Sequence, residues 1–389
     1  MDDKQKQLYI DFEAYERVKE PHKREKAATW RAAIGLQQVD GLKVSEYLKE
    51  TAVKHIEGDI TIDDVRQHLR IYYESKTAHD QNNEDTEEAD KVAANIAKLL
   101  GEQSFTLSAL EVLNIHRHVF DGVFKHAGEV RDYDISKKEW VLQGESVTYG
   151  RAEDIHMSLR YDIEQEQMFD YSGLSTDEII EHIAHFTSLL WQNHPFREGN
   201  TRTTAVFMIK YLRSCGFTVN NDIFAENSWY FRNALVRANY NNPLNGMKKD
   251  MSFLIKFYRS LLLGENHELC NRYMLIDYKD TDNTHISTHA SNKEYTHTSS
   301  PTSSNVLLPQ SENVIRLITA IGQNELNVKE MMEAVGLKNR QNFMDYSLNS
   351  AISDGYVRMK FPDSPRHPKQ KYLLTIKGLM AYNTIKVSK

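Results

Sequence analysis

Cysteine is nearly absent from this chain of 389 residues, which has only Cys215 and Cys270. So few thiols exclude a disulfide-stapled secreted fold and point to a reducing compartment. Runs of 18 apolar residues are missing too, which excludes a helical membrane span. The first twenty residues, MDDKQKQLYIDFEAYERVKE, lack a secretory apolar core, so a cytoplasmic location is expected. Basic excess is also lacking. The formal net charge of −7 argues against a protein that coats nucleic acid, yet leaves room for a local basic patch. What is present is a 40% share of hydrophobic residues, enough for a substantial core, in a length that suggests two or three domains.

The composition changes along the chain. Residues 1–75 are polar, helical in pattern and poor in glycine and proline. An acidic connection, KTAHDQNNEDTEEAD, follows, in which Asp85 or Thr86 is placed to cap the next helix. A helical body is expected over 76–278. Residues 279–305 are rich in Ser, Thr, Asn, Asp and His, and read as a flexible linker whose histidines, His285, His289 and His297, are solvated. A last small domain fills 306–389.

The densest chemistry lies in HPFREGNTRT, residues 194–203. Ala205, Met208, Ile209 and Leu212 then recur at helical spacing and Gly216 stops the run, so the loop sits at a helix N-terminus. Free N–H groups and the helix dipole favour an anion there. Gly199 permits close approach to the backbone, and Arg202 offers a planar fork suited to phosphate oxygens. Glu198 is a hard carboxylate of the kind that holds Mg²⁺ beside phosphates. His194 can accept a proton near neutral pH. Base, metal ligand and anion cradle within nine residues point to nucleotide phosphate chemistry.

This stretch resembles the signature of Fic (Fido) proteins, His-x-Phe-x-(Asp/Glu)-Gly-Asn-Gly-Arg-x-x-Arg, through His194, Phe196, Glu198, Gly199, Asn200 and Arg202. The resemblance implies a mainly α fold: a Fic-type helical bundle with a short β-hairpin flap, an N-terminal helical region and a C-terminal winged helix-turn-helix domain. It implies transfer of AMP from ATP to a Ser, Thr or Tyr hydroxyl of a target protein. His194 would be the base and Glu198 would hold Mg²⁺. The loop at Gly199, Asn200 and Thr201, with Arg202, would bind the phosphates. Pro195 would stiffen the loop and Phe196 pack inward. Two positions depart from the pattern. Thr201 replaces a glycine, and a β-branched residue tolerates positive φ poorly, so a locally altered loop is expected. Ala205 replaces the second arginine, which in the family grips the γ-phosphate and pairs with an inhibitory glutamate.

The resemblance extends outward. Trp140, Val141 and Leu142, before the turn Gln143-Gly144-Glu145, are the expected target-docking flap, a strand that pairs with the target's main chain. Residues 30–75 resemble the small antitoxin domain of class I Fic proteins. Its inhibitory motif falls on Leu36 to Asp40-Gly41, with Val53 to Glu57-Gly58 as an alternative. With Asp40 one methylene shorter than glutamate and Ala205 unable to pair with it, a weakened or rebuilt latch is expected. Near the C-terminus, the pattern helix, turn, helix and wing places Lys338, Arg340, Lys369 and Lys371, with Lys360 and Arg366, where DNA phosphates would lie. Two further readings stay open: a DNA-binding regulator whose Fic core senses nucleotide, and a toxin–antitoxin fusion.

Overall fold

Small polar residues set the helix starts. Ser45, Thr61, Ser108, Ser175 and Asn327 each accept a hydrogen bond from the backbone N–H three residues on. At Thr61, Ser175 and Asn327 an acidic residue also reaches back to the cap N–H, closing a capping box. The computed structural model describes residues 10–16, 20–75, 81–219, 221–277 and 308–387. The first group of elements is α1 (Phe12–Glu16), α2 (Pro21–Gly35), α3 (Glu46–Glu57), α4 (Ile62–Glu74), α5 (Gln81–Gly101) and α6 (Ala109–Val119). Then come α7 (Ile155–Met168), α8 (Thr176–Asn193), α9 (Asn200–Ser214), α10 (Asn221–Glu226), α11 (Ser228–Asn239) and α12 (Ser252–Leu263). The C-terminal group is α13 (Glu312–Ile321), α14 (Val328–Val335), α15 (Arg340–Phe343), α16 (Asn349–Ser353), β1 (Val357–Met359), β2 (Tyr372–Leu374) and α17 (Ile376–Val387). The architecture is mainly α, as expected. The acidic connection is partly helical: α5 begins at Gln81, ahead of the expected cap at Asp85 or Thr86. No described helix is long and apolar enough to cross a membrane.

α9 is the axis of the large bundle. Every residue from Asn200 to Leu212 is buried, polar ones included. A helix covered on all sides needs no polar face, and its charged side chains must find partners inside. Lys210 donates to the carbonyls of Leu99 and Glu102, at 2.9 and 3.0 Å.

The N-terminal helices belong to the same core. Trp30, Leu36 and Val39 are fully buried in one apolar cluster with residues of α8, α9 and α11. Trp30 donates its indole N–H to His55 Nδ1 at 2.9 Å. A Cβ on Gly35 would stand 2.4 Å from the Ala225 backbone, so only glycine lets α2 lie this close to α10. This packing fixes the 3₁₀ turn Leu36–Asp40 that follows α2.

A second core gathers Val314, Leu317, Ile321, Met331, Phe343, Leu348 and Val357. Here α15 runs into α16 through a π turn, and β1 pairs antiparallel with β2 in the register Val357 with Leu374 and Met359 with Tyr372. Helix, turn, helix and hairpin therefore follow in the expected order. This unit leans on the main bundle where Gly216 and Gly355 meet backbone to backbone. A Cβ on either would come within about 2 Å of the other's carbonyl oxygen. The expected linker, 279–305, lies outside the described residues.

The flap differs from its expected form. Trp140–Leu142 is a 3₁₀ turn, and the described β-strands are β1 and β2 alone. The chain does reverse there: Glu139 N–H donates to Glu145 O and Gly144 N–H to Glu139 O, both at 3.0 Å. The cause is packing. Successive strand residues face opposite sides, whereas here the neighbours Val141 and Leu142 are both fully buried, which a tight turn allows. Trp140 alone is exposed.

Candidate active site

The loop between α8 and α9 is held in an uncommon shape by its neighbours. His194 closes α8 in the left-handed region, at φ 46° and ψ 57°, a conformation that costs a non-glycine residue about 1–3 kcal/mol. Arg131, with its side chain fully buried, holds it there. Its Nε donates to His194 O at 2.8 Å, its NH1 to Tyr133 O at 2.6 Å, and its NH2 to Gly150 O. The Arg131 backbone N–H donates to Pro195 O at 2.9 Å. Asn200 folds back, accepting from Phe196 N–H at 2.9 Å and donating to Phe196 O at 2.7 Å. Its amide thus shapes the loop. Phe196 and Pro195 are buried, as expected.

His116 completes the clamp. Its Nδ1 accepts from Gly128 N–H at 2.7 Å, so Nε2 is the protonated nitrogen and faces Glu198 O at 3.1 Å. Its ring stacks on Phe196 with centroids 3.7 Å apart. Gly199, at φ 72°, begins α9, and a Cβ there would run into the Phe120 ring at 2.1 Å.

The expected strain at Thr201 does not arise. Positive φ falls on His194 and Gly199, whereas Thr201 lies within the first turn of α9. Its hydroxyl accepts from Trp191 Nε1 at 2.9 Å and ties α8 to α9.

A narrow cleft with about 20 Å³ of free space opens at this helix start, lined by Asp40, Lys137, Glu139, Trp191, His194, Gly199, Asn200, Thr201 and Arg232. His194 Nδ1 faces Trp191 O at 3.4 Å, and Nε2 is buried without a hydrogen-bond partner. Burial holds its pKa well below the ordinary histidine value, helped by the charges of Lys137, Arg131 and Arg232. The imidazole is therefore neutral at pH 7, with a free lone pair in the cleft. The Tyr149 ring packs against it, with centroids 4.1 Å apart.

Asp40 enters from the N-terminal region. Its Oδ2 lies 2.8 Å from Arg202 Nε, and its Oδ1 lies 3.5 Å from Arg232 NH1. The Arg202 Nε–H does not point along the short contact, which is therefore a charge pairing and not a directed hydrogen bond. Arg202 also donates to Glu88 at 2.7 Å and to Gln37 Oε1 at 3.2 Å, and sits over the Phe120 ring. Asp40 thus has partners although Ala205 is buried and apolar: its carboxylate turns to Arg202 and to Arg232 of α11. Gly41 caps the turn in the left-handed region at φ 72°. The alternative, Glu57, lies away from the cleft, bonded to Tyr15 and Lys23.

Glu198 is exposed, with Lys137 Nζ 3.8 Å from its carboxylate. Among the described residues no group of three or more His, Cys, Asp or Glu is assembled to hold a metal. A single free carboxylate beside an anion cradle suits Mg²⁺, which keeps waters and takes phosphate oxygens, and does not suit a closed zinc site. A larger groove of about 670 Å³ runs between α4 and α5, but its walls, including Arg66 and Asp121 paired at 2.6 Å, contain none of the motif residues 194–203.

Trp140 is exposed, whereas Val141 and Leu142 are buried and unavailable for docking. Lys338, Arg340 and Lys369 are exposed, Lys371 is half-buried, and Lys360 is paired with Glu325 at 2.5 Å. His182 bonds buried Glu166 at 2.7 Å and stacks on Phe169. Sequence reading passed over Arg131, His116, Glu139 and Arg232. The signal available for Arg232 was a charge set within an otherwise buried segment, whereas Arg131 lies among exposed polar residues and gave none.

The sequence profile of the Fic/DOC family matches residues 106–212, and that of the "Filamentation induced by cAMP protein Fic-like, C-terminal domain" matches 312–375. Protein adenylyltransferase VbhT of Bartonella schoenbuchensis is 29% identical over 108 residues, 28% of this chain and 21% of that protein. The probable protein adenylyltransferase Fic of Salmonella typhimurium is 26% identical over 117 residues, 30% of this chain and 54% of that protein. This chain thus spans about a fifth and about half of these relatives. A crystal structure of a Fic family protein from Desulfovibrio desulfuricans aligns over 90% of this chain and 87% of its own, at 15% identity and a TM-score of 0.37.

The buried His116 gives the fold an acid-sensitive term. Burial pulls its pKa from 6.5 down to about 3. Below pH 6.5 the unfolded chain takes up a proton that the folded ring refuses, so stability falls as pH drops from 6.5 toward 3. The slope is about 1.4 kcal/mol per pH unit for such a group. Urea unfolding of the wild-type and His116→Gln chains at pH 6.0 and 4.5 should show that much less pH dependence in the variant. Equal slopes would sink this assignment.

Proposed function

Since the chain belongs to the Fic/DOC family, we propose that it moves AMP from ATP to a Ser, Thr or Tyr hydroxyl of a target protein, and that its own N-terminal region restrains the reaction. The observation that carries this reading is the partnerless Nε2 of a neutral His194 in a cleft that also holds a helix N-terminus and Arg232.

His194 Nε2 takes the proton of the target hydroxyl as that oxygen attacks the α-phosphorus of ATP. The bond from the α-phosphorus to the bridging oxygen breaks and pyrophosphate leaves. The first-turn N–H groups of α9 have no intrahelical acceptor and, with Arg202, stabilise the charge on the phosphates. Glu198 would hold Mg²⁺, which would supply further neutralisation of the triphosphate charge. The Arg131 clamp keeps His194 aimed into the cleft. Trp140, exposed at the chain reversal, is the part of the flap able to meet a target. The restraint has a physical basis: Asp40 occupies the arginines that phosphates need, and the cleft keeps only about 20 Å³ of space for a guest, far below the roughly 300–1,000 Å³ of small-molecule sites. We place the catalytic unit at 76–278 and the restraining unit at 1–75, in the cytoplasm.

The protein incubated with cell lysate and ATP labelled at the α-phosphate should transfer label to protein. His194→Ala should lower the rate by about 10²–10⁴-fold. Because the His194 pKa is depressed, the neutral base persists below pH 6.5 and the rate should stay level between pH 8 and 6.5. Label transferred only from the γ-phosphate would overturn this reading in favour of a kinase-like one.

Exposed Lys338, Arg340 and Lys369, at the start of α15 and on the hairpin loop, favour a second role: contact of the C-terminal unit with DNA phosphates. Fluorescence anisotropy with duplex DNA should show salt-dependent binding. Each of Lys338→Ala and Lys369→Ala should lower the log–log salt slope by roughly 1. Binding unchanged in both variants, or no binding at low salt, would refute the role.

A further inference from the structure

Two guanidiniums from different helices converge on one carboxylate, and only one of them belongs to the motif. Arg202 comes from α9 and Arg232 from α11; both meet Asp40, at 2.8 and 3.5 Å. Arg232 lines the same cleft as His194 and Gly199. Position 205 cannot serve the cleft, because Ala205 is fully buried within α9. We infer that Arg232 is a second phosphate-binding residue, delivered from α11, and that it clamps the terminal phosphates of the nucleoside triphosphate. This inference rests on the nucleotide reading given above.

Arg232 is built for that task independently of Asp40. Its NH2 lies 3.1 and 3.4 Å from the two carboxylate oxygens of Glu139, whose side chain is 3% exposed, and its guanidinium lies over the Trp229 ring. Glu139 is in turn held by Tyr149 OH at 3.0 Å, and the Tyr149 ring packs on His194. Glu139 is therefore a positioning residue. It keeps the guanidinium in the cleft when Asp40 withdraws, and links the phosphate clamp to the wall of the base. Arg232 Nε is buried with no hydrogen-bond partner, a donor still unspent. NH1 also lies 3.3 Å from Val39 O, so the same side chain meets both the backbone and the carboxylate of the restraining turn. A carboxylate flanked by two arginines mimics a phosphate group, since both present oxygens to the same planar donors. An arriving triphosphate thus replaces Asp40 on Arg202 and Arg232 together, while AMP, lacking the terminal phosphates, has little use for Arg232.

The test uses the full chain carrying Asp40→Ala, with Arg232 kept or changed to Ala or Lys, and measures binding of ATP, AMP and inorganic tripolyphosphate by calorimetry. Arg232→Ala should weaken ATP and tripolyphosphate by about 10- to 100-fold, the loss expected for one charge-assisted contact, and AMP by less than about threefold. Retained AMP binding shows that the fold is intact. Arg232→Lys should recover part of the loss by restoring charge without the fork. Equal weakening of ATP and AMP marks a merely structural arginine and overturns the inference, as does unchanged ATP binding. The two readings fail separately. Tripolyphosphate binding that depends on Arg232, without α-label transfer, supports the clamp and removes the transferase. Normal α-label transfer by Arg232→Ala, at unchanged ATP affinity, removes the clamp and keeps the transferase.

Discussion

A guanidinium does not lose its proton at physiological pH, so a fold that buries one must bring acceptors to it. Arg202 is only 3% exposed, at the start of a helix covered on all sides. Much of the molecule's organisation can be read as the supply of its partners. Glu88 comes from α5, Gln37 and Asp40 from the turn after α2, and the Phe120 ring lies beneath. Because α2 shares a core with the central bundle, the N-terminal region delivers Asp40 as part of the packing and not as a loose tether. On the proposed function, an anionic substrate would meet a site whose counter-charge is already present, and would have to displace it.

The loop carrying His194 shows the complementary device. Its backbone is held in sparsely populated conformations by polar groups that touch nothing reactive: Arg131 on the His194 and Pro195 carbonyls, His116 on the Glu198 carbonyl, Asn200 on both sides of Phe196. Each is buried, so each bond forms in a low dielectric, where a missing partner is costly. The lone pair of His194 is left free while the carbonyls of His194, Pro195, Phe196 and Glu198 are each held by a neighbour. A base held in this way costs little to orient when a substrate arrives.

What the sequence disclosed follows from how local each feature is. The motif is contiguous, and so its histidine, carboxylate, glycine and arginine could be read directly, along with the helix they open. The mainly α body was legible from 3.6-residue periodicity, and the C-terminal order of helices and hairpin from its turns and charges. Asp40 was placed by resemblance alone, and its partner was misjudged: with Ala205 in view, no residue-by-residue reading supplies an arginine 192 positions from Asp40 along the chain (232 − 40). Arg131, His116 and Glu139 were missed for the same reason, since their partners lie far away in sequence. The flap was read as a strand from its apolar residues, whereas burial of two successive side chains required a tight turn. Thr201 was read as strain because a glycine is expected there, yet the left-handed positions lie at 194 and 199.

The central claim is that Asp40 and the phosphates of a nucleotide compete for the same two arginines. The direct measurement is ATP affinity, by calorimetry on the full chain at low ionic strength, for the wild type and for Asp40→Ala. If the carboxylate holds the site closed, the apparent affinity is reduced by the fraction of molecules in that state, and the variant should bind ATP at least about tenfold more tightly. Equal affinities would contradict the account, since the carboxylate would then sit in the cleft without opposing the ligand.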